Sequence, residues 1–82
     1  MSNKEIVKAV VRETTLFYGA TVSEHSSERR VEIATKAVFV RMSDLYELHL
    51  AIAEKGGKVK DIEVSPMPAM DNRLSVVVVF NR

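Results

Sequence analysis

Cysteine is absent from all 82 residues. That excludes disulfides and any thiolate metal centre. Nothing covalent therefore reinforces a chain whose length supports a single domain, residues 1–82, with a core that is marginal by size alone. Tryptophan is also absent, and two Tyr and three Phe are the only aromatics. Several are needed inside, which leaves few rings for a base-stacking platform. Charge of one sign is missing as well: 12 Lys and Arg stand against 11 Asp and Glu, a net charge of +1. No large field exists to steer nucleic acid, an acidic substrate or a membrane surface. The longest apolar run, Val76 to Phe80, is far too short to span a bilayer. Met1 to Glu5 lacks the basic-then-apolar plan of a signal peptide, so a cytoplasmic location is expected.

What is present suits a globular domain, with 46% hydrophobic and 28% charged residues. Ser2 followed by Glu5 fits a capping box. The spacing of Ile6, Val10 and Phe17, beside Val7, Val11 and Tyr18, predicts a helix from about residue 3 to 16, with Gly19 near its stop. Ala20 to His25 reads as a short strand and Ser26-Ser27-Glu28 as a turn. Arg30 to Met42 reads as a long strand whose apolar side changes near Thr35 to Ala37, where a bulge or bend is expected. Asp44 with Glu47, or Ser43 instead, opens a second helix, which carries two apolar stripes: Leu45, Leu48 and Ile52, then Tyr46, Leu50 and Ala53. Gly56-Gly57 closes it after Lys55. Lys58 to Val64 alternates like an edge strand. Ser65 to Asn72, with both prolines, reads as a hairpin loop. Leu74 to Phe80 is apolar and β-branched enough for a central strand covered on both faces.

The order α-β-β-α-β-β has a simple solution. A strand, a helix and a parallel strand make a crossover, and the last strand folds back between the two. The expected fold is α+β: a four-stranded antiparallel sheet with two helices on one face, similar in topology to a permuted ferredoxin-like sandwich. That analogy implies no function.

No catalytic, metal or cofactor site is expected. His25 lies in a turn beside Glu24 and Glu28, and His49 lies between the stripes of the second helix. Two histidines supply neither a metal's ligand set nor a base with its orienting partner. Gly56-Gly57 follows a helix, whereas a phosphate loop precedes one. A nucleic-acid module is the alternative reading. Arg29, Arg30, Lys36, Arg41, Lys58 and Lys60 would form a basic strip on neighbouring strands. Lys36-Ala37-Val38-Phe39-Val40 resembles the strand motif of RNA-recognition domains but lacks its glycine and paired aromatics.

The leading functional signal is surplus apolar surface. Two helices cover one face of the sheet, so Val77 and Val79 are expected on an open face, and the second helix has a stripe to spare. The expectation is a small non-enzymatic protein-binding domain (an adaptor, an inhibitor, an assembly subunit or a phage-type regulator), and a homodimer. Its contact residues would be Tyr46, Leu50, Ala53, Val77 and Val79, with Met67 and Met70 of the proline loop as adaptable accessories. The helix, Gly56-Gly57 and the Val59-x-x-Ile62 rhythm are also similar to ACT-type regulatory domains. That resemblance implies a small ligand held between subunits near the glycines.

Overall fold

A computed structural model describes residues 1–67 and 73–81. Its elements are α1 (Asn3–Glu13), β1 (Thr21–Val22), β2 (Arg30–Ala34), α2 (Met42–Glu54), β3 (Val59–Pro66) and β4 (Leu74–Phe80). The sheet order is β1-β2-β4-β3, antiparallel throughout. The last strand is thus central and β3 lies at an edge, the α+β architecture expected from composition. No helix among the described residues is long and apolar enough to cross a membrane.

The capping box forms: the Ser2 N–H donates to the Glu5 carboxylate at 3.0 Å, and the Glu5 N–H donates to the Ser2 hydroxyl at 3.1 Å. Asn3 ties this end of α1 to the turn before β2 through the Glu28 carbonyl, 2.6 Å away. Helix α1 ends at Glu13, three residues short of the predicted boundary. Thr14 is extended: its N–H still donates to the Val10 carbonyl at 3.0 Å, and its hydroxyl donates to the same carbonyl at 2.8 Å, capping the helix end. Gly19 instead serves the turn into β1, where φ is +62°.

Strand β2 is the larger departure. It stops at Ala34 rather than continuing to Met42. The Thr35 hydroxyl donates to the Leu74 carbonyl at 2.9 Å and accepts the Ala37 N–H at 3.1 Å, turning the chain out of the sheet. The expected change of apolar side near Thr35 is therefore the end of the strand. Helix α2 begins at Met42, with Arg41 in the cap position and no side-chain cap; Asp44 lies in its first turn, where it suits the helix dipole. Ser65 and Pro66 belong to β3, not to a loop.

The core lies between the helices and one face of the sheet. Ile6, Val7 and Val10 of α1 and Leu48 and Ile52 of α2 meet Val31, Ile33, Val76, Val78 and Phe80. Two helices suffice to close this face, because each presents one aliphatic line at helical spacing.

Candidate functional site

The outer face of the sheet departs from the open apolar surface expected. Register sets Glu32 and Glu63 opposite Val77, and Arg30 and Asp61 opposite Val79. Arg30 reaches diagonally over β4 to Glu63 at 3.3 Å. The turn before β2 is pinned beside this face, with the Ser26 hydroxyl accepting the Glu32 N–H at 2.9 Å. Val77 is left only 8% exposed, and Val79 is half-buried. Long polar side chains from both neighbouring strands cover the two valines.

Part of the surplus apolar surface lies on α2. Leu48 and Ile52 are fully buried, while the other side of the same helix presents Met42 at 82%, Tyr46 at 67% and Leu50 at 44% exposure. Their four-residue spacing puts them in one line, and exposed Ala53 extends it. Asp44 and Glu47 border a groove with Val11 of α1, which fixes that flank of α2 as the one facing α1. The apolar line therefore tilts the opposite way, toward the β3 edge. There Val64, paired with buried Val76 and so on the helix-bearing side of the sheet, is 40% exposed, and Ile62 beside it is half-buried. Met42, Tyr46 and Leu50 thus form an exposed apolar line on α2, and Val64 is an exposed apolar residue of the neighbouring edge strand.

The backbone of that edge is partly guarded against strand addition. The Met67 N–H donates to the Arg73 carbonyl. Alternation then aims the Ile62, Val64 and Pro66 backbone groups outward. The Ile62 N–H is taken by the Asp61 carboxylate at 2.9 Å, and Pro66 has no N–H to offer. A break in register between Val59 and Asp61 further disrupts the edge. Met67 is half-buried beside this strand end; Met70 lies outside the described residues.

The six basic residues of the alternative reading do not form one strip. Lys36 and Arg41 meet at the groove near Leu74, with Arg41 over the Phe39 ring at 5.9 Å. Arg29 and Lys58 sit at the other end of β4, where their carbonyls accept the Phe80 and Asn81 N–H groups. A seven-residue strand, about 20 Å, separates the pairs. Arg30 is committed to Glu63 on the outer face, and Lys60 lies on the β3 edge. The groove itself, about 1010 Å3 and open, gathers Lys36 and Arg41 with Asp44 and Glu47. Tyr18, expected beside an apolar line of the first helix, and Phe39, expected within the long strand, are exposed on its walls. Their signal was the short α1 and short β2, which put both residues on loops.

His25 and His49 are both exposed, and no group of three metal-ligating side chains occurs among the described residues. Gly57 is buried, and an added Cβ would lie 2.5 Å from Ile52 Cγ2 and 3.2 Å from Phe80 Cε1. Close packing accounts for this glycine without a ligand. Compared with known proteins, the chain matches no family profile, no curated protein and no solved structure.

Proposed function

We propose that this chain is a small protein-binding domain, acting without catalysis, that receives its partner on the outward stripe of α2. The observation that carries this reading is the line of Met42, Tyr46 and Leu50, exposed on a helix whose opposite side already saturates the core. A solvated helix face is normally polar, and an aromatic with two large aliphatic neighbours is the composition of a contact centre. The arrangement suits an adaptor, an inhibitor or a subunit of an assembly. The lack of cysteine fits a cytoplasmic setting.

A photo-crosslinking side chain in place of Tyr46, compared with one in place of exposed Lys8 on α1, tests the proposal in cells. A discrete protein adduct from position 46 alone, abolished by Leu50→Asp, is the expected result. Equal adducts from both positions, or none from 46, count against the reading.

A further inference from the structure

The groove beside the first turns of α2 is held by its own hydrogen bonds. The Lys36 N–H donates to the Tyr18 carbonyl at 2.8 Å, which ties its two loops together. The Ala37 N–H donates to the Thr35 hydroxyl at 3.1 Å, and the Ala37 carbonyl accepts the Leu74 N–H at 3.2 Å. The Lys36 stem packs on Gly19, where an added Cβ would stand 2.7 Å from Cδ. A volume of about 1010 Å3 lies at the upper end of the range of small-molecule clefts. Val11 and Leu16 line it together with Tyr18, Val38 and Phe39, which are 75%, 64% and 64% exposed. Those three side chains leave a large apolar area in water until something covers it.

Four charges share this groove, two of each sign. Lys36 and Arg41 belong to the segment before α2, Asp44 and Glu47 to its first two turns. None of the four enters an ion pair among the described residues, although Asp44 is half-buried. The groove thus keeps a cationic and an anionic side that do not neutralise each other. A polyanion would meet Asp44 and Glu47, and a polycation would meet Lys36 and Arg41. A molecule with one charge of each sign and an apolar body satisfies both sides. We infer that the groove binds a small zwitterion of dipeptide size with an aromatic or branched aliphatic body. Its carboxylate meets Lys36 and Arg41, its ammonium meets Asp44 and Glu47, and its body covers Tyr18, Val38 and Phe39. The ends of an extended dipeptide lie up to about 7 Å apart, enough to bridge charges that do not reach each other directly. This site is separate from the apolar stripe of α2.

Amide chemical shifts of the full chain, titrated with phenylalanyl-leucine and its capped forms, test the proposal. The free dipeptide should shift residues 16–20 and 36–47 saturably. N-acetylation removes the ammonium and C-terminal amidation removes the carboxylate; each should weaken binding about tenfold at low salt, and less as ionic strength rises. Glycylglycine, with the same charges and no apolar body, should not bind. Lys36→Gln with Arg41→Gln should make the chain indifferent to amidation, and Asp44→Asn with Glu47→Gln indifferent to acetylation, with circular dichroism unchanged. Tyr46→Asp, outside the groove, should bind the dipeptide as the parent does, so this site and the stripe stand or fall separately. No saturable shift with phenylalanyl-leucine, or charge variants that keep the parent's preferences, would overturn the inference. A doubly capped dipeptide that binds as tightly as the free one would also overturn it, in favour of an uncharged protein segment. A dimer of the chain alone that Phe39→Asp splits would place a second copy in the groove and overturn it as well.

Discussion

Glycine and glutamate each reveal a local rule at single positions. Gly19 holds φ at +62°, and a Cβ there would stand 2.7 Å from the Lys36 side chain. Gly19→Ala should cost about 1–2 kcal/mol for the left-handed backbone, measured by urea unfolding. Adding Lys36→Ala should relieve only the crowding. Gly57→Ala meets Ile52 and Phe80 instead of a flexible stem and should cost about 1–3 kcal/mol by the same measurement. Glu5 is governed by charge: the Ser2 backbone N–H, then the Ser2 side chain, holds its carboxyl below the ordinary glutamate range. Its contribution is present above the unfolded pKa and fades as pH falls through the lowered folded value. First-turn amides of α1 should therefore lose protection on acidification, a response that Glu5→Gln flattens.

At this scale the sequence spoke clearly where a residue acts on near neighbours. The Ser2–Glu5 pair announced its own cap. It was mute about Thr35, whose hydroxyl works on the Leu74 carbonyl, 39 residues away. Until register is known, Thr35 is only one more β-branched residue in an extended run.

Elements show the same division. Strand β4 was legible as central because unbroken β-branched composition needs cover on both faces. The cover over Val77 was not, since it depends on which long side chains the neighbouring strands set opposite. Two apolar stripes on α2 were visible in the spacing. Which one is buried was decided by the tilt of the helix over β4 and β3. The β3 edge gives a prediction of its own. Asp61→Ala frees the Ile62 N–H and deletes an edge charge, so the variant should self-associate at concentrations where the parent sediments as a monomer. Asp61→Asn, which keeps an acceptor oxygen in place, should associate less than Asp61→Ala. Equal behaviour of all three proteins would show that the edge is guarded by other means.

For the whole molecule, one chain closes its own core. The Cα radius of gyration is 11.5 Å, against about 12 Å expected for a compact domain of this length. No buried side-chain nitrogen or oxygen among the described residues lacks a hydrogen-bond partner. The apolar surplus that sequence reasoning assigned to sheet and helix together lies instead on the outer side of α2, at Val64 of the β3 edge and around the groove lined by Tyr18, Val38 and Phe39. Stability and recognition should separate by mutation. Leu48→Ala should cost about 2–5 kcal/mol, read as a fall in Tm of ten degrees or more. Tyr46→Ala, one turn away in exposure rather than in distance, should leave Tm nearly unchanged. A comparable loss from both would mean that α2 is packed on both sides.

The strand that joins the two halves of the sheet is the last to appear in the chain. Strands β2 and β3 touch no common neighbour until residues 74–80 lie between them. On a ribosome, both helices and three strands wait with their aliphatic sides wet until those seven residues emerge. A chain halted before Leu74 keeps only the short β1–β2 pairing of its sheet and lacks the strand that joins β2 to β3.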